Sequence, residues 1–154
     1  MIPADPASKS LHFELHGDPR EIAPGVEAIE TFLRDAGCNA ASVGQLAVVA
    51  EEILANIVRD AWAGREPGHC AVDLRAAAKP DGIHVSLRTE DDGIAFDPIA
   101  AESPDVEASL DERAIGGLGI LLIRTMTDRQ VYHRVDGRNI FEVFKVCPLA
   151  RADC

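Results

Sequence analysis

The chain is poor in positive charge and gathers none of it into a block: 15 Lys and Arg stand against 26 Asp and Glu, for a net charge of −11. Binding along a nucleic-acid backbone draws on clustered cations, so no direct nucleic-acid partner is expected. No apolar run reaches the length of about 18 residues that reads as a membrane span, and no membrane association is expected. The N-terminus, MIPADPASKS, lacks the basic and apolar regions of a signal peptide, and the expected location is cytoplasmic. The four cysteines, Cys38, Cys70, Cys147 and Cys154, have neither metal-type nor redox-type spacing. His69 and Cys70 are adjacent, but no second pair completes a zinc site, so both read as ordinary packing. No internal repeat is present. A chain of 154 residues is long enough for one domain with a real core. The expected boundaries are a flexible N-terminus over 1–8, a single domain over 9–147 and a tail over 148–154.

What the chain does have is concentrated between Thr89 and Ile123, TEDDGIAFDPIAAESPDVEASLDERAIGGLGILLI. An acidic turn, Asp91-Asp92-Gly93, ends an alternating apolar run. A polar loop of roughly 18 residues follows, from Pro98 to Ile115, and a loop of that length in a small domain reads as a lid or as a disordered segment. The turn Gly116-Gly117-Leu118-Gly119 then opens a helix. Such a helix start is an anion site, because its N–H groups are unpaired, its dipole favours negative charge, and glycine admits a phosphate closely. A carboxylate at one end of the loop and a phosphate cradle at the other suit a nucleotide held by its base and its phosphates.

The remaining pattern supplies the frame. Leu11, Phe13 and Leu15 alternate with His12, Glu14 and His16, which is a half-buried strand. Histidines on its polar face raise the thought of a metal, but no third ligand is spaced to join them, so they read as solvated. Pro19 starts a first helix that Pro24-Gly25 restarts, with Val26, Ile29, Leu33 and Ala36 inward and Gly37 at its end. Ser42 to Gln45 reads as a capping box for a second helix from near Val43. Glu52 and Asn56 share one face of that helix, one turn apart. Asn is a poor helix former, and a hard cation taking its amide oxygen would explain it there. Two strands joined by Lys79-Pro80-Asp81-Gly82, a third helix with Leu118, Leu121, Leu122 and Met126 inward, and two strands joined by Asp136-Gly137 complete the order β-α-α-β-β-α-β-β. The expected fold is a two-layer α/β sandwich, three helices on one face of a mostly antiparallel five-stranded sheet.

These motifs have a familial likeness. EExxxN on a helix, DDGxxFDP at a strand end and RxIGGLGI opening a helix resemble the N, G1 and G2 boxes of the GHKL ATPase superfamily. The Phe-Asp-Pro after the acidic turn and the DGRN near the end resemble the anti-sigma-factor serine/threonine kinases of the RsbW and SpoIIAB type. The resemblance covers roughly Leu11 to Lys145. It implies Glu52 as the general base, Asn56 as the Mg²⁺ ligand, Asp91 as the adenine-binding carboxylate with Gly93 keeping its turn open, Gly117 and Gly119 at the phosphates, and Arg113 at the γ-phosphate. The implied cofactors are ATP and Mg²⁺. The implied partners are an anti-sigma-factor antagonist, phosphorylated on serine or threonine, and a sigma factor held inactive; a homodimer is implied as well. Ala95 stands where the superfamily often has a second glycine, and Asp60 where many members have histidine. Those two departures define the alternative, a catalytically inactive module of the same fold that binds nucleotide or partners only. A third reading, the catalytic half of a histidine kinase, is set aside for want of a dimerisation helix pair.

Overall fold

The computed structural model describes residues 8–99 and 117–150. Strand β1 (Ser8–Leu15) leads through a short 3-10 turn (Pro19–Glu21) into helices α1 (Ile22–Asp35) and α2 (Ala40–Asp60). The hairpin β2 (Cys70–Lys79) and β3 (Gly82–Asp91) follows, then helix α3 (Gly117–Met126) and the hairpin β4 (Arg129–Val135) and β5 (Arg138–Cys147). All neighbours pair antiparallel, in the order β1-β2-β3-β5-β4. Arg113, Ala100 to Ile115 of the expected lid, and the chain before Ser8 and after Ala150 lie outside the described residues.

The strand periodicity transfers directly into layers. Val72, Leu74 and Ala76 of β2 and Ile83, Val85 and Leu87 of β3 are buried. They join Ile29 and Leu33 of α1 and Leu46, Val49 and Ile53 of α2 in one core. His12, Glu14 and Asp73 point to the other, polar face, where His12 Nδ1 lies 2.7 Å from Asp73 Oδ1. The Asp136-Gly137 turn has φ of 50° and 76°, the left-handed pair that a two-residue hairpin of the right twist requires. It folds β4 onto β5 and puts β5 inside the sheet, as its apolar character predicts.

Four local expectations are corrected. Helix α1 runs unbroken through Pro24 and Gly25. Pro24 falls in the first turn, where its missing N–H costs nothing, and a side chain at Gly25 would meet Phe13 at 3.0 Å. Helix α2 begins at Ala40 because Asn39, not Ser42, is its cap: Asn39 Oδ1 accepts from Ser42 N–H at 3.0 Å. By length and composition this helix is apolar enough to cross a membrane, contrary to the expectation that no such run exists; its buried side makes it the core helix of this fold. On α3 the inward residues are Ile120 and Ile123, and Met126 packs against the core as expected, whereas Leu121 is 43% exposed and Leu122 is half-buried; the side chain of Leu118 is outside the description. A helix apolar on every side gives no stripe to read, and its orientation is set by its packing against α2.

Candidate functional site

The antiparallel register places Asp91, the last residue of β3, opposite Asn139, the second residue of β5. Both are buried, at 5% and 6% exposure. Asn139 Nδ2 donates to Asp91 Oδ1 at 3.0 Å, and Gly93 N–H donates to the same oxygen at 2.9 Å. Among the described residues no donor reaches Asp91 Oδ2. A buried carboxylate with one oxygen satisfied and the other unpartnered is incomplete, and it lines a cavity between sheet and helices. Burial pushes the Asp91 carboxyl above its ordinary range, while the donations from Asn139 and Gly93 pull the other way.

Asn139 does more than face Asp91. Its Nδ2 also donates to Ile94 O at 2.7 Å, and its Oδ1 accepts from Tyr132 O–H at 2.6 Å and Phe96 N–H at 3.2 Å. It therefore holds the segment after the acidic turn against the sheet. The turn is closed from the helix side as well: Ile94 N–H donates to Ala61 O at 2.8 Å, and a side chain on Gly93 would meet Ala61 Cβ at 2.5 Å. Asp92 faces away from the cavity, its Oδ1 accepting from Trp62 Nε1–H at 2.7 Å and His69 N–H at 3.0 Å. Replacing Asn139 with Ala should cost about 1–3 kcal/mol, since Asp91, Ile94 and Tyr132 each lose a buried partner. Urea unfolding should register that loss, and an Asn139→Ala as stable as the parent would refute the role.

Sheet residues Thr89, Asp91, Asn139 and Phe141 line the floor of the cavity, and Ile53, Asn56 and Ile57 of α2 line one wall. Ile94 and Phe96, about half exposed, lie at its edge. Asn56, half-buried, lines this space. Glu52, one helical turn earlier, reaches toward the start of α3: a side chain at Gly119 would collide with Glu52 Oε2. Gly117 begins α3. The fold thus brings Asn56 and Asp91 to one cavity, sets Gly93 against Asp91, and brings Glu52 to Gly119 near the start of α3.

The surroundings of Asn56 hold something the sequence did not reveal. Arg59 Nη2 donates to Asn56 Oδ1 at 3.0 Å. The same guanidinium grips Asp60, with Nε at 3.0 Å and Nη2 at 2.8 Å from its carboxylate oxygens. Asp60 is therefore neutralised by its neighbour, and the amide oxygen suited to a hard cation already meets a positive charge. The donor set still fits Mg²⁺, which takes oxygen ligands and keeps several waters, provided that Arg59 swings aside. Cys70 lies close to this end of the sheet but is not part of the chemistry: burial pushes its thiol up to about 12, which leaves it protonated and inert.

Comparisons with known proteins identify the family of this fold. A family described as histidine kinase-like ATPase domain matches residues 15–145. The serine/threonine-protein kinase BtrW of Bordetella bronchiseptica is 35% identical over 94 residues, which is 61% of this chain and 63% of that protein. The chain thus matches less than two thirds of the length of that relative. Among solved structures, the SiaB–SiaC complex from Pseudomonas aeruginosa matches with a TM-score of 0.55 at 20% identity, over 88% of this chain and 89% of that one. A histidine kinase domain from Erythrobacter litoralis matches with a TM-score of 0.47 at 17% identity, over 95% of this chain and 70% of that one.

Proposed function

The chain belongs to the histidine kinase-like ATPase domain family, and from that premise we propose that it is an anti-sigma-factor serine/threonine protein kinase. It binds Mg·ATP in the cavity over Asp91 and phosphorylates a small antagonist protein. It also holds a sigma factor inactive until that antagonist competes for it. The observation that carries the nucleotide reading is the buried Asp91 carboxylate, which lines the cavity with Oδ1 taken by Asn139 and Gly93 and no donor on Oδ2 among the described residues. An exocyclic amine supplies the donor that Oδ2 lacks, and adenine has one where guanine presents a carbonyl oxygen. The kinase reading draws further support from the relative named as a serine/threonine-protein kinase.

In this mechanism Asp91 fixes the base, and the start of α3, with Gly117 and Gly119, receives the phosphates on backbone N–H groups. Mg²⁺, held by the Asn56 amide oxygen once Arg59 withdraws, would neutralise charge on the phosphates. Glu52 takes the proton of the acceptor hydroxyl as its oxygen bonds to the γ-phosphorus, and ADP departs with the electrons of the broken bond. Most of the acceleration is positional and electrostatic, so the acceptor must dock near Glu52. Arg113, outside the described residues, is assigned to the γ-phosphate.

The alternative, a binding module without transfer, is favoured by the Arg59 contacts with Asn56 and Asp60. The two readings part in one experiment. The protein is incubated with γ-labelled ATP, Mg²⁺ and a candidate small antagonist protein. Acid-stable label on that protein is expected; tight ATP binding with no transfer would give the module reading its place.

A further inference from the structure

On the polar face of the sheet, outside the lining of the cavity over Asp91, three metal-type side chains from distant positions converge. We propose that Glu14, His16 and His69 form a surface site for a divalent transition-metal ion of the zinc class, completed by water. Their ligand atoms all lie within 4.8 Å of one another. Glu14 Oε2 is 2.9 Å from His69 Nε2, and the rings of His16 and His69 stand 5.6 Å apart at 63°. Two imidazoles and one carboxylate form a donor set of the kind that holds zinc with an open fourth position. Imidazole nitrogens favour Zn²⁺, Ni²⁺ or Cu²⁺ over Mg²⁺ and Ca²⁺.

The backbone brings these groups together for reasons visible in the fold. Leu15 pairs with Cys70, so the next step of the β1–β2 register sets His16 opposite His69. Glu14 and His16, two apart, leave the chain on the same side. Gly17 has φ +86°, and any side chain there would collide with Pro67, so the path out of His16 is fixed by the chain before β2. His69 is anchored in turn by its N–H to Asp92 Oδ1, at 3.0 Å.

Two of the three ligands, His16 and Glu14, also have a side-chain partner behind them of the kind that holds metal ligands in orientation. Glu21 Oε2 stands 3.5 Å from His16 Nδ1, while Glu21 Oε1 accepts from His16 N–H at 2.9 Å. His12 Nε2 lies 3.6 Å from Glu14 Oε1, and its own Nδ1 is 2.7 Å from Asp73 Oδ1. The ion would pin the end of β1 to the start of β2, so its binding should raise resistance to heat.

The test uses the intact protein, stripped with a chelator and titrated with Zn²⁺ in the calorimeter under excess Mg²⁺. One Zn²⁺ per chain is expected. Loss of an outer-shell partner typically weakens metal affinity about 10–100-fold, and loss of a ligand should do at least that in both His16→Ala and His69→Ala. His84→Ala, which removes an imidazole paired with Asp81 at the hairpin turn, should bind as the parent does. Zn²⁺ should raise the melting temperature of the parent and of His84→Ala but not of His69→Ala. Zn²⁺ affinity that survives both ligand substitutions, or that Mg²⁺ abolishes, would overturn the proposal.

Discussion

Replacing Glu52 with Ala is expected to slow phosphoryl transfer by about 10²–10⁴-fold while Mg·ATP affinity stays near that of the parent. Glu52 lies half-buried on α2, one turn before Asn56, with its carboxylate turned toward Gly119 at the start of α3. A base there acts on the acceptor hydroxyl and makes no contact that the bound nucleotide needs. Its loss therefore falls on the chemical step alone. Asn56→Ala should behave differently, weakening Mg·ATP binding and transfer together, because its amide oxygen acts on the nucleotide complex. Single-turnover transfer and calorimetry on both variants separate the two roles. Equal rates for the parent and Glu52→Ala would remove Glu52 from the chemistry.

Asp91→Asn should lose ATP affinity by about 10–100-fold, the size of one hydrogen bond to a charged group. The substitution keeps the shape of the side chain and replaces an acceptor with either a donor or a weaker acceptor at the position meant for the adenine amine. Discrimination against GTP should narrow in parallel, since the carboxylate no longer repels the guanine carbonyl. The pH dependence follows from burial. Asp91 titrates above the ordinary carboxylate range, so its folded-state value exceeds its unfolded one. The ionised form accordingly opposes folding at neutral pH, and protonation relieves that cost as pH falls. Nucleotide binding runs the other way: it needs the ionised acceptor and should weaken as pH drops through the raised value. Asp91→Asn should lack that acid limb, and the same limb in parent and variant would assign it to another group.

Much of this site could be read from the chain, for definite reasons. Glu52 and Asn56 are tied by helical spacing, and Asp91-Asp92-Gly93 ends a strand whose alternation is clean. What escaped the sequence is what long-range pairing creates. Asn139 meets Asp91 only because β5 inserts beside β3, 48 positions along the chain. The DGRN motif pointed to the neighbourhood without giving Asn139 its task. Arg59 was not singled out in the sequence, yet it holds both Asn56 and Asp60. A basic residue three positions after a polar helix residue was the available signal. His69 was read as packing beside Cys70, and β1–β2 register alone brings it to Glu14. The face of α3 was misread because GLGILLI is apolar in every direction.

The central claim is that the cavity over Asp91 is where ATP binds, with its base on the sheet and its phosphates at α3. A crystal structure of the protein with Mg²⁺ and a non-hydrolysable ATP analogue tests it most directly. The expected result is an adenine amine within hydrogen-bond reach of Asp91 Oδ2, about 2.7–3.2 Å, a phosphate chain running to Gly117 and Gly119, and Arg59 turned away from Asn56. A nucleotide seated elsewhere, with Asp91 Oδ2 still unpartnered, would contradict the account.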